Sequence, residues 1–194
     1  MTRRLLVVEA LAKSFGGPKV LENVSFSVRP GEILGLMGRN GSGKTTVFNL
    51  ITRRLDPDAG TMTFGEVDVL RCDPWDLANL GLARTFQEVR VAPGLSVLDN
   101  VIAGRQRHAG ESLAEALIGR WRWGIAEGVA RQEARGLLDE FGLDDVRDRP
   151  AASLSFGQRK LLSLCACLTM APRCLLLDEP FAGLSPVMAG IVRK

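Results

Sequence analysis

No apolar run in this sequence is long enough to cross a bilayer. The longest, around Leu161 to Ala171, falls well short of the ~20 residues that a spanning helix needs. The opening MTRRLLVVEA is basic, but its apolar run soon meets Glu9, so no secretory signal is read there. A soluble chain is expected, with any membrane association made through a partner. Histidine is almost lacking: His108 stands alone and is read as a surface or local helix residue. The cysteines Cys72, Cys165, Cys167 and Cys174 show no paired C-x-x-C spacing of a zinc site, and buried thiols in a reducing cytosol are expected. An excess of charge of one sign is also lacking. The net +3 and the scattered arginines, with a modest excess around Arg120, Arg122 and Arg131, do not form the basic stripe of a nucleic-acid binder.

What is present is an ordinary globular composition, 46% hydrophobic and 24% charged over 194 residues, enough for one domain with a real core. The first third reads as β structure. Strands are predicted at Leu5 to Val8 and Val20 to Val28, separated by the Gly16-Gly17-Pro18 turn, with a strand buried on both faces at Glu32 to Met37. A glycine-rich turn leads to a predicted helix from Lys44 to Arg54, with Val47, Leu50, Ile51 and Arg54 near one face. A short strand at Thr61 to Phe64, a helix at Asp76 to Leu80 and a strand at Gly81 to Phe86 follow. From about residue 90 to 153 the pattern turns helical, with Ser96 and Asp99 spaced as a capping box, helical stretches at Glu111 to Ile118 and Ala126 to Phe141, and Trp121 and Trp123 read as core or contact aromatics. A helix over Gly157 to Met170 and an apolar strand, Cys174 to Leu177, complete the α/β pattern.

The strongest motif is Gly38-Arg39-Asn40-Gly41-Ser42-Gly43-Lys44-Thr45, which matches G-x-x-x-x-G-K-[ST] between a predicted strand and a predicted helix. Glycines let backbone N–H groups turn inward upon phosphate oxygens, and the helix that starts here points its positive end at the anion. Lys44 supplies a full charge for the outer phosphates, the Thr45 hydroxyl is placed to ligate Mg²⁺, and Thr46 closes the segment. A dinucleotide fingerprint is disfavoured, because Thr46 occupies the place of its third glycine.

Such a loop needs an acidic partner. Asp178-Glu179, at the end of the apolar strand, supplies it: Asp178 to hold the metal through water, Glu179 to accept a proton from attacking water. Lys44 and Asp178 are expected to converge on one magnesium-bound triphosphate. Ser155 and Gln158, in Leu154-Ser155-Phe156-Gly157-Gln158, have capping-box spacing at a helix start, with Gly157 expected to leave backbone exposed as a second anion site. One chain rarely needs two such sites for one triphosphate; two chains face to face would use both.

LSFGQ resembles the LSGGQ signature of ABC ATPases and precedes the Asp-Glu strand at that family's usual distance. With the phosphate loop, the resemblance covers nearly the whole chain. RNGSGKTTVFNLIT, LGLARTFQEVR, VLDNVIAG and the aromatic third residue of LSFGQ are similar to the ATPases of branched-chain amino-acid importers. The resemblance implies a P-loop NTPase core with a mostly parallel sheet, an N-terminal antiparallel β region and a helical insertion. It divides the one nucleotide-binding domain, 1–194, into a β region and P-loop core (1–89), a helical subdomain (90–153) and a stretch (154–194) with signature helix, acidic strand and D-loop. It implies that Phe15 stacks on adenine beside Val20, and that Gln87 touches Mg²⁺ and the attacking water. Ser155, Phe156, Gly157 and Gln158 would contact the nucleotide held by a second subunit, and Ala182 to Ser185 form the D-loop. It further implies ATP and Mg²⁺ as cofactors, a second ATPase subunit and membrane permease subunits as partners, a periplasmic binding protein indirectly, no nucleic acid, and a place on the cytoplasmic face of the membrane.

The sequence departs from the family at Ser185, where an acidic or amide residue is usual, and at Ala166, often arginine. The family's γ-phosphate histidine beyond the D-loop has no counterpart before Lys194. That implies either a C-terminally truncated sequence or a shortened homologue, with weak or absent hydrolysis by this chain alone and apolar sheet surface left uncovered. Two other readings are a truncated nucleotide-binding homologue and a soluble ABC-type ATPase acting on DNA or ribosomes. The latter usually carries long coiled-coil insertions or tandem cassettes, which this sequence lacks.

Overall fold

The computed structural model describes residues 4–85, 91–105 and 120–192, with 120–126 as backbone alone. The chain divides into two compact units: Met1–Leu82 with Arg173–Leu176, and Ala83–Pro172 with Leu177–Lys194.

The first unit is built on an antiparallel sheet of four strands in the order β2-β1-β3-β4, where β1 is Leu6–Ser14, β2 Lys19–Val28, β3 Ala59–Phe64 and β4 Val67–Asp68. The glycine–proline turn predicted between the first two strands becomes a hairpin, in which Leu6 opposes Val28 and Ser14 opposes Lys19. A bulge interrupts β1 at Ala10, whose φ of 51° breaks the register with both neighbours; its N–H turns to Ser25 Oγ at 2.8 Å. Helix α1 (Lys44–Ile51) buries Val47, Leu50 and Ile51, the face foreseen in the sequence, although it ends before Arg54. It packs into one core with Leu6, Val8, Leu11, Met62 and Phe64. Full burial of each such side chain stabilises by roughly 1.5–3 kcal/mol relative to exposure. Helix α2 (Pro74–Asn79) starts two residues earlier than predicted, because Asp73 and Asp76 form a capping box and Pro74 fits the first helical position.

The strand expected at Glu32 to Met37 is absent. The segment belongs to no strand or helix, and Ile33 and Met37 are 98% and 93% exposed. Apolar composition makes a strand only when a neighbour completes its ladder, and among the described residues none pairs with this stretch. Strands β5 (Leu82–Arg84) and β6 (Cys174–Leu176) form a separate two-stranded sheet. They run parallel: Arg173 N–H donates to Gly81 O, and further along Asp178 N–H donates to Thr85 Oγ1.

The second unit is helical. It holds α3 (Val97–Ala103), α4 (Arg120–Glu140), α5 (Phe156–Leu168) and α6 (Pro186–Val192), with α3, α4 and α5 packed on one another. Ser96 caps α3 by accepting from Asp99 N–H at 3.0 Å. The Asp99 carboxylate accepts from the serine hydroxyl rather than reaching back to the backbone, so the cap is only half of the predicted box. Asn100 is buried and satisfied: its amide donates to Ala92 O and Ser96 O, and its oxygen accepts from Ala92 N–H. Of the predicted helices, Ala126 to Phe141 falls largely within α4, while Glu111 to Ile118 and His108 lie outside the described residues, as do the side chains of Trp121 and Trp123. Cys165 is fully buried as expected; Cys72, Cys167 and Cys174 are half-buried.

Candidate functional site: a phosphate loop and an acidic turn

In the first unit the chain enters α1 through the phosphate loop. Gly41 and Gly43 have φ of 80° and 89°, conformations that a side chain would strain. At Gly43 space is short as well: a Cβ there would lie 2.7 Å from Leu21 Cδ2 and 3.2 Å from the Val20 carbonyl oxygen. The start of β2 therefore lies against the loop, and Val20 is its neighbour. Lys44 curls back over the loop and donates from Nζ to Gly38 O at 2.7 Å and Arg39 O at 2.8 Å. The ammonium thus sits on carbonyl oxygens that water could replace, at the exposed N-terminal end of a helix whose first N–H groups have no helical partner. Residues 38–42 and Thr45 are exposed, while Gly43, Lys44 and Thr46 are part-buried. Phe15, 56% exposed at the tip of the β1–β2 hairpin, offers an open ring to solvent.

In the second unit Asp178 is buried at 6% exposure. Its Oδ2 accepts from Arg84 Nη2 at 2.9 Å, and its N–H donates to Thr85 Oγ1 at 3.3 Å. The sequence reading gave Asp178 a metal and no protein partner; the structure gives it a guanidinium, because a buried carboxylate needs a counter-charge. Glu179 follows with a φ of 47°, unusual for a residue with a side chain. The turn it opens is stapled by Lys160, on the first turns of α5, which donates to Glu179 O at 2.6 Å and to Ala182 O at 2.8 Å. Burial pushes the Lys160 ammonium below its ordinary pKa, against the upward pull of Glu179 and Asp178.

The signature segment caps α5 as predicted: Gln158 N–H donates to Ser155 Oγ at 3.3 Å, and Ser155 N–H donates to Gln158 Oε1 at 3.0 Å. Gly157 is not exposed, however. It is buried, and a Cβ on it would lie 2.7 Å from Met188 Sδ of α6. Gly183, with φ of 74°, is covered by the Phe156 ring in the same way, its missing Cβ 2.7 Å from Phe156 Cε1. The start of α5 and the segment from Gly183 to Met188 therefore interlock, each lending a glycine to a side chain of the other. Gln87 lies outside the described residues.

Sequence reasoning missed Arg84 and Lys160. Both had a signal: an arginine at the end of one short apolar strand with an aspartate at the end of another, and a lysine where α5 turns apolar. Among the described residues no cluster of three His, Cys, Asp or Glu side chains could hold a metal by itself. The Thr45 hydroxyl and the Asp178 carboxylate are hard oxygen donors of the kind Mg²⁺ takes alongside phosphate oxygens.

The ABC transporter family model matches residues 21–182 of this chain. The high-affinity branched-chain amino acid transport ATP-binding protein LivG of Salmonella typhimurium is 35% identical over 186 residues, 96% of this chain and 73% of that one. The probable branched-chain amino acid transport ATP-binding protein LivG of Methanocaldococcus jannaschii is 35% identical over 188 residues, 97% of this chain and 72% of that one. Among solved structures, a nucleotide-free ATP-binding cassette from an ABC transporter superposes with a TM-score of 0.77 at 33% identity, covering 97% of this chain and 74% of the other. A protein of Clostridium perfringens, part of the ABC transporter complex cbiONQ, gives 0.76 at 27% identity, covering 98% and 71%.

Proposed function

The chain belongs to the ABC transporter family as an ATP-binding subunit homologous to branched-chain amino acid importer ATPases, and from that premise we propose that it powers import of branched-chain amino acids or a similar small solute. The family implies ATP hydrolysis by class. The whole of 1–194 works as one nucleotide-binding domain in this reading.

The observation that carries the reading is the loop at α1. Gly41 and Gly43 hold the left-handed backbone that such a loop uses, and Lys44 rests on two carbonyl oxygens that it can exchange for phosphate. Gly38 to Thr46 would hold the triphosphate, while Phe15 and Val20 would receive the adenine. Thr45 and Asp178, with Gln87, would hold Mg²⁺, which when bound neutralises phosphate charge. Glu179 would accept the proton of the attacking water. Ser155 to Gln158 would face the nucleotide of a second ATPase subunit in a head-to-tail dimer. Among the described residues no helix is long and apolar enough to cross a membrane. In this reading coupling to the bilayer would run through permease subunits at the cytoplasmic face, and to a periplasmic binding protein only through them.

Equilibrium titration with Mg·ATP tests the reading. Wild type should bind, and Lys44→Ala should weaken binding roughly 10- to 100-fold, the effect of losing one or two charge-assisted hydrogen bonds. Equal affinity in the two proteins would overturn it. With the permease subunits present, Glu179→Gln should keep ATP binding and lose turnover.

A further inference from the structure

The outer end of β1 carries a polar arrangement that the nucleotide site as described leaves unused. One carboxylate, Asp58, takes three bonds from two consecutive residues. Its Oδ2 accepts from Ser14 N–H at 2.7 Å and from the Ser14 hydroxyl at 2.6 Å, while Oδ1 accepts from Lys13 Nζ at 2.8 Å. Its own N–H donates to Ala12 O at 2.9 Å, so the carboxylate is anchored to the strand whose side chains it grips. The next residue is Phe15. The Lys13 ammonium that Asp58 holds lies 5.7 Å from the centroid of the Phe15 ring, over its face.

We propose that Asp58 is a positioning residue of the nucleotide site, fixing Ser14 and Lys13 so that the Phe15 ring is already set to receive the base. The proposal rests on the reading of Phe15 as the adenine contact. Phe15 is more than half exposed and lies outside the buried core. A ring left free at a hairpin tip loses rotamer freedom when a base stacks on it, and that loss weakens binding. Asp58 removes part of it beforehand. The Ser14 bonds fix the backbone from which the ring projects, and the Lys13 ammonium occupies one ring face through a cation–π contact, leaving the opposite face for a planar ligand. Both carboxylate oxygens of Asp58 are engaged with Lys13 and Ser14, beside Phe15 in sequence. Its effect should fall on the base alone.

The test separates base from phosphate. The full chain is titrated with Mg·ATP and, separately, with magnesium tripolyphosphate, which fills the phosphate loop and has no base. Phe15→Ala should weaken ATP binding and leave tripolyphosphate binding unchanged. Asp58→Asn and Asp58→Ala should do the same, weakening ATP about 3- to 10-fold, and adding either to Phe15→Ala should cause no further loss. Unchanged tripolyphosphate affinity also certifies that each variant is folded. Equal loss of both ligands in the Asp58 variants would make Asp58 a general structural residue and overturn the proposal. ATP affinity unchanged in those variants, with Phe15→Ala weakened, would overturn it and leave the Phe15 reading standing. ATP affinity unchanged in Phe15→Ala would overturn both.

Discussion

Arg84 and Asp178 meet at 2.9 Å with side chains only 5% and 7% exposed, so the carboxylate at the end of β6 is balanced by a cation at the end of β5. Removing one member of such a pair leaves a charge buried without its counter-ion. Arg84→Ala should destabilise the protein by about 3–5 kcal/mol, whereas Arg84→Met with Asp178→Leu should cost far less. Urea unfolding of the single and double variants checks this, and equal losses in both would contradict the paired-charge account.

Gly43→Ala would force a side chain into a left-handed backbone conformation and against Leu21 and the Val20 carbonyl. A stability loss of about 1–3 kcal/mol is expected. Mg·ATP affinity should fall with it, since the same backbone frames the phosphate loop. A variant that melts like wild type and binds ATP equally well would show that the loop can reshape without strain.

Asp58 also sets an acid limb. The hydrogen bond from Lys13 acts first, then those from the Ser14 hydroxyl and N–H; together they hold its carboxyl at about 2, below the ordinary 3.8. The folded protein thus takes up this proton less readily than the unfolded chain does. The resulting stability is complete above pH ~3.8, fades as the pH falls, and is gone below about 2. Thermal midpoints of wild type and Asp58→Asn, measured from pH 5 down to 2, should differ most at the upper end and converge toward the lower. A gap that stays constant across that range would refute the assignment.

Lys160 pins the turn after Glu179 through two carbonyl oxygens. In Lys160→Met the amides of residues 182–184 should exchange with deuterium several-fold faster, while those of Leu161 and Leu162 in the body of α5 keep their protection. Lys160→Arg, which can still donate to both carbonyls, should recover most of the protection. Uniform acceleration along α5 would mean that the lysine supports the helix rather than the turn.

Local chemistry was the legible part of the sequence. The hairpin around Gly16 to Pro18, the apolar face of α1 and the reciprocal cap of Ser155 and Gln158 depend on neighbours within a few residues, and each formed as read. The glycine-lysine loop was likewise visible, because its chemistry lies in consecutive residues. What could not be read was pairing at a distance. Arg84 finds Asp178 across 94 positions and Lys13 finds Asp58 across 45, and no periodicity announces either. Glu32 to Met37 fails for the same reason in reverse: its apolar letters read as a buried strand, yet a strand is a property of two segments. Gly157 was read as open backbone because Met188, the group that fills the space, lies thirty-one positions on.

The reciprocal fit of Phe156 over Gly183 and of Met188 against Gly157 has a bearing on protein engineering. Neither half carries its own shape: each side chain is accommodated by an absence on the opposite segment. A chimera that receives the start of α5 from a related subunit and keeps its own Gly183 to Met188 segment would inherit bulk without the matching hollow. Transplants across this family should succeed only when both segments travel together.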